Sequence, residues 1–175
     1  MPNSSRLVVV DEWTGKHVIN EAYRPIAQAL VERYPELGHI AVKDILFVDD
    51  MESTGKHKDK YKFAQISKVP EKWHQIIYQM TGKSFGFMME FFKRNIESTS
   101  REQVIALVYH ELRHIDIDGE LKSHDIEDWA NMHYKLGFNW AETKRRIPNL
   151  LDDEFNWDEI TGPRLFDDQF LRVIK

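Results

Sequence analysis

The chain has 175 residues, of which 42% are hydrophobic and 30% charged, a formal net charge of −5 and no cysteine. Its length suits one domain with a real core, while the missing cysteines exclude disulfide scaffolds, Cys-ligated zinc, iron–sulfur clusters and thiol catalysis. Any metal must therefore sit on His, Asp or Glu. No apolar run approaches the roughly 20 residues of a membrane span, and the start from Met1 to Glu12 lacks the apolar core of a secretory signal, so a cytoplasmic protein with no membrane partner is expected. A pI near 5.9 argues against wholesale coating of nucleic acid.

In chain order, Leu7 to Val10 reads as a short strand or an N-terminal staple. From Asn20, Ala22, Ile26, Ala29, Leu30 and Arg33 recur at helical spacing until Tyr34-Pro35 stops them, because the residue before proline is pushed out of the α region. Ile45 to Val48 and Tyr61 to Val69 are β-type segments, expected to pair with each other. Pro70 opens a helix that ends at Thr81-Gly82, with Trp73, Ile76, Ile77 and Met80 as its buried stripe. Ser84 to Phe92 is apolar on both faces and reads as a strand covered on two sides. Thr99 and Ser100, each with Glu102 or Gln103 three residues on, give the capping-box signature for a helix from Arg101. Its body, Val104 to Tyr109, is apolar all round, which predicts burial on every side.

Beyond it, a loop with Asp118-Gly119 leads to helices expected near Ser123 to Leu136 and Trp140 to Arg146. The organisation expected is one domain over residues 1–146, with residues 147–175 a C-terminal extension that wraps the domain or is partly flexible. The order of elements is an α+β pattern.

The buried helix ends in His110-Glu111-Leu112-Arg113-His114. Two histidines four apart lie on one helix face and can close on one ion, while the intervening glutamate is placed beside the metal rather than on it. Such a glutamate suits a general base acting on water. The bland alternative is a helix whose last polar turn simply emerges into solvent. Against it, ionisable groups directly after a fully apolar body are costly to bury without partners. A zinc site needs a third protein ligand. His124 is the leading candidate, since Ser123 can serve as an N-cap and a helix N-terminus disfavours protonation of an imidazole. Asp118, Glu120 and Glu127 are its rivals. Asp125 and Asp128 are suited to accept the free ring N–H of a ligand histidine.

Tyr109 to His114, the short loop, His124-Asp125-Ile126-Glu127-Asp128-Trp129 and a helix closing at Leu136-Gly137 resemble the phage metallopeptidase family of phages and prophages. The block from Lys62 through Pro70-Glu71-Lys72-Trp73 to Phe92 fits the same family, so the resemblance covers most of residues 40–137. It implies a compact zincin-like fold, in which a small mixed or antiparallel sheet packs with the buried helix. It also implies Zn²⁺ on His110, His114 and His124, with Glu111 as the catalytic base, and a protein or peptide substrate in the cytoplasm of a bacterial host. A third histidine followed five residues later by Trp is also similar to the Spartan-like crosslink proteases, although Asp125 replaces their glycine. The last strand before the active helix, within Ser84 to Phe92, would be the edge for an extended peptide. The competing class is a non-enzymatic module whose zinc is structural and whose lysine run touches nucleic acid or a host protein.

The lysines at 56, 58, 60 and 62 read more simply as a solvated loop or guarded edge strand than as a phosphate contact. His133 reads as a packed histidine, and Trp140 and Trp157 as core or tail anchors. His17, His39, His57 and His74 have no ligand partner at a useful sequence spacing.

Overall fold

The fold was obtained as a computed structural model, which describes residues 15–53, 56–57, 60–124 and 128–158. Leu7 to Val10, Asp125 and Glu127 lie outside the described residues.

Asn20 starts the first helical segment. Its side-chain oxygen accepts the Ala22 amide at 3.1 Å and caps a 3₁₀ turn over Glu21–Tyr23, which runs into α1 (Arg24–Arg33). The helix stops at Tyr34, held extended at φ −106° by the proline that follows it. Before it comes β1 (His17–Ile19), a short strand with no strong sequence signal. After it come β2 (Ile45–Asp50), the small ribbon β3 (Lys56–His57) and β4 (Lys60–Tyr61), and β5 (Ala64–Lys68). The chain continues through α2 (Glu71–Thr81), β6 (Phe87–Phe92), α3 (Lys93–Ile96), α4 (Arg101–Leu112) and α5 (Ala130–Leu136). Lys56 and Lys60 of the lysine-rich segment thus lie on a two-stranded antiparallel ribbon separate from the main sheet.

The main sheet has four strands in the order β1-β2-β6-β5, with β2 and β6 parallel and the outer pairs antiparallel. The expected pairing of the segments at 45–48 and 61–69 is corrected: β6 lies between them. The reason is in its composition. With Phe87, Met89 and Phe91 on one face and Met88 and Phe92 on the other, β6 gains most where both its faces and both its edges are covered. That places it inside the sheet, whose outer strands among the described residues are β1 and β5.

Alternation sends Ile45, Phe47, Met89 and Phe91 to the face that packs on α4 and α1. α4 begins at the expected capping box, with Ser100 Oγ accepting the Gln103 amide and Gln103 Oε1 accepting the Ser100 amide. Ile105 to Tyr109 and Leu112 are all buried, as an all-round apolar body requires.

Three further expectations are corrected. α2 has the predicted bounds, with Gly82 in the left-handed region at φ 69°, but no residue of it is buried, and Trp73 and Met80 are 47% and 80% exposed. Its stripe encodes an apolar face, while the inner sheet face is already taken by α1 and α4. The helix expected from Ser123 begins only at Ala130, and Ser123 and His124 are non-helical. Residues 140–146 form turns instead of a helix, because the buried Gln103 amide donates to the carbonyls of Trp140, Ala141 and Thr143 at 2.8, 3.0 and 3.0 Å. Converging carbonyls cannot also point along a helix axis. Ile147 and Leu150 are buried in the same core, and the Trp157 ring packs on Tyr34 and Tyr109.

Candidate metal centre

His110 lies in the last turn of α4 and His114 in the turn that directly follows the helix, with ring centroids 5.3 Å apart. The loop after it folds back through the Ile115 and Leu121 bridge and a turn at Gly119, φ +76°, a conformation that favours glycine. This hairpin returns His124 to the helix end, with its centroid 4.7 Å from His110 and 4.4 Å from His114. One ring nitrogen from each of the three lies within 4.8 Å of the others, and His124 Nε2 is 2.9 Å from His110 Nε2.

The outer nitrogens of His110 and His114 are held. His110 Nδ1 is 2.8 Å from Asp128 Oδ1, and His114 Nδ1 lies 2.7 Å from the Lys122 carbonyl oxygen, to which it donates. A proton on Nδ1, beside these oxygens, leaves Nε2 of each ring as the lone-pair nitrogen. Asp128 is itself fixed by the Trp129 amide at 2.6 Å and the Trp140 indole at 2.7 Å. Burial works to raise its pKa, but His110, Trp140 and the Trp129 amide outweigh it and hold the carboxyl at about 2. Burial likewise disfavours charge on His110, yet the Asp128 contact and the nearby Glu111 carboxylate lift its pKa above the ordinary value.

Glu111 is 5% exposed and faces the same cleft as Ile66 of β5. Burial pushes its pKa up, opposed by His110 and His114. A raised carboxyl pKa moves a group toward the range where it can both take and return a proton near neutrality.

Among the sequence candidates, His110, His114 and His124 come together, Glu111 lies beside them, and Asp128 touches His110. The reason offered for His124, a helix start at Ser123, does not hold. The hairpin brings it in instead. Of the rivals, Asp118 accepts the Glu120 amide within its own turn and Glu120 pairs with Lys68. Neither belongs to the cluster. Two tryptophans did more than sequence reasoning gave them: Trp129 donates its indole N–H to the His110 carbonyl at 3.0 Å, and Trp140 holds Asp128. His133 packs near the site with Nε2 3.6 Å from Asp128 Oδ2.

A cleft of about 1040 Å³ opens over the histidines, floored by His110, Glu111 and His114 and walled by Gln65 and Ile66 of β5 on one side and Phe138 and Trp140 on the other. The strand at the cleft is thus β5. The expectation of an edge within Ser84 to Phe92 fails because β6 is hydrogen-bonded on both sides.

This arrangement is a protein that gathers imidazoles around a point at the foot of an open cleft. The family model that matches the chain, over residues 15–151, is described as "Putative phage metallopeptidase". The match spans most of the chain, and the protein belongs to that family. No curated protein and no solved structure gives a significant match. Among the described residues no helix is long and apolar enough to cross a membrane.

Proposed function

We propose that the protein is a zinc-dependent peptidase in which His110, His114 and His124 hold the metal and Glu111 is the general base. One observation carries this reading: three imidazoles, two of them oriented from behind by Asp128 and the Lys122 carbonyl, present nitrogens within 4.8 Å of one another. That donor set fits zinc. Three neutral nitrogens with no carboxylate among them suit a borderline ion, and close lone pairs repel unless a proton or a cation lies between them. Zinc bound there would act as a Lewis acid toward water and toward the scissile carbonyl.

The remaining chemistry belongs to the chain. Glu111 takes a proton from water on its carboxylate and returns it to the leaving amine, a shuttle favoured by its raised pKa. An extended peptide in the cleft would pair with the free edge of β5, which sets the scissile bond's distance from the histidines by backbone hydrogen bonds alone. Asp128 fixes the tautomer of His110, and Trp140 fixes Asp128. A cytoplasmic site of action in a bacterial host accords with this reading.

The test combines metal content with turnover. Purified without added metal, the chain should carry one tightly held zinc at this site, and His110→Ala or His114→Ala should abolish it. Glu111→Gln should keep the zinc and lose hydrolysis of an unfolded protein substrate. Zinc retained in both histidine variants, or undiminished hydrolysis by Glu111→Gln, would overturn the proposal.

A further inference from the structure

A second cluster lies on the other face of the sheet. By strand register, His17 stands opposite Asp50, and Val48 opposite Glu90, so the side chains of His17, Asp50 and Glu90 share one face. That face is turned away from the one bearing Phe47 and Met89, which packs on α4. His17 Nε2 is 3.2 Å from Glu90 Oε1 and 3.7 Å from Asp50 Oδ2, and one ligand atom from each residue lies within 4.8 Å of the others. The two carboxylates are 3% and 9% exposed, whereas His17 is 52% exposed and forms the mouth.

Two acidic groups buried side by side in a sheet are costly without a cation. Each has one oxygen fixed from outside the trio. Asp50 Oδ1 accepts the Glu52 and Ser53 amides at 3.0 and 2.7 Å, and Glu90 Oε2 accepts the Gln65 amide nitrogen. The other oxygen of each, Asp50 Oδ2 and Glu90 Oε1, is the one turned toward His17. Ligands about 2.1 Å from an ion stand roughly 3.0 to 3.5 Å apart at octahedral to tetrahedral angles. The His17 to Glu90 distance meets that spacing, and the half-exposed His17 ring has room to close the slightly wider gap to Asp50. The competing cation is Lys16, whose Nζ is 3.3 Å from Asp50 Oδ2, and at 42% exposure it can swing into solvent.

We propose that His17, Asp50 and Glu90 form a second divalent-metal site, independent of the histidine cluster on α4. One imidazole and two carboxylates across three adjacent strands make a harder donor set than three imidazoles, and they suit Mn²⁺ better than the α4 cluster does. The open mouth at His17 leaves further positions to solvent. The sequence conceals this site because its members come from residues 17, 50 and 90, and only the β1-β2-β6 pairing brings them together.

The experiment titrates Mn²⁺ into the full chain preloaded with one equivalent of Zn²⁺, following free Mn²⁺ by electron paramagnetic resonance. One Mn²⁺ should bind. His17→Ala, at an exposed ring that the fold does not need, and Glu90→Gln should each weaken it by about tenfold or more. The double variant His110→Ala/His114→Ala, titrated without the Zn²⁺ preload, should bind Mn²⁺ as before, which separates this site from the peptidase reading. Lys16→Ala should tighten Mn²⁺ binding severalfold by removing the competitor. A closed ion-pair network requires the opposite, no Mn²⁺ uptake and a less stable Lys16→Ala chain. No binding up to millimolar Mn²⁺, binding indifferent to His17→Ala, or loss of binding in the His110→Ala/His114→Ala variant would overturn the proposal.

Discussion

At the residue scale, the three imidazoles of the α4 site differ in how they are held, and this difference can be measured. His110 in the last turn of a buried helix and His114 in the turn just after it each have Nδ1 within 2.8 Å of an oxygen, whereas His124 arrives on a returning loop. If His124 is a ligand, His124→Ala should weaken zinc by several kcal/mol, while Asp128→Ala, which removes only the carboxylate 2.8 Å behind His110, should cost about 10–100-fold. Competition with a coloured chelator ranks the two. An equal or smaller loss for His124→Ala would remove it from the ligand set. The motif itself was readable at this scale, because residues four apart on a helix share a face whatever the tertiary context. The roles of Trp129 and Trp140 were not, since an indole's partner 12 or 19 residues away depends on how the loops return.

At the scale of elements, the start and the buried body of α4 were legible, while the helix ends at Leu112, two residues before His114. A capping box marked its start and an all-round apolar body its burial. Ser100→Ala should therefore destabilise the chain by about 1 kcal/mol, read as a lower midpoint in urea with an unchanged slope. Gln103 has a second duty that its position in the box conceals. Its amide donates to three carbonyls of the 140–143 turn, and this turn carries the tryptophan that fixes Asp128. Two N–H bonds are shared among the three carbonyls, and Gln103→Leu leaves at least the buried Trp140 carbonyl without its donor, at roughly 1–3 kcal/mol. We expect a larger stability loss than for Ser100→Ala, together with weaker zinc binding. A variant that matched Ser100→Ala in stability and bound zinc normally would show that the turn holds itself. The helix at 71–81 teaches the converse lesson: its period and both ends were correct, but periodicity names an apolar stripe without naming what covers it.

For the whole molecule, acid stability follows from carboxylates that the fold surrounds with donors. Burial works to raise the Asp50 pKa, but the Ser53 and Glu52 amides and Lys16 outweigh it and hold it at about 2. A folded-state pKa below the unfolded value of about 3.9 means that the stabilisation is complete above that value and is lost as pH falls toward 2. In chelator, the chain should lose on the order of 2 kcal/mol between about pH 5 and 2 from this group. Asp50→Asn should flatten that part of the profile in urea titrations at stepped pH, and an unaltered slope would contradict the assignment. The sequence by itself determined the parts whose causes are local: the absence of thiol chemistry, the end of α1, the bounds of α2, the start of α4, the two-sided burial of β6, and the paired histidines with their glutamate. Only the tertiary structure decided which strand is the edge, that His124 comes in on a hairpin rather than a helix, and that His17 meets Asp50 and Glu90. Helix ends and faces are fixed by residues within a turn of each other. Strand order and loop return depend instead on which distant apolar surfaces are buried together, and that choice is made by competition across the whole chain.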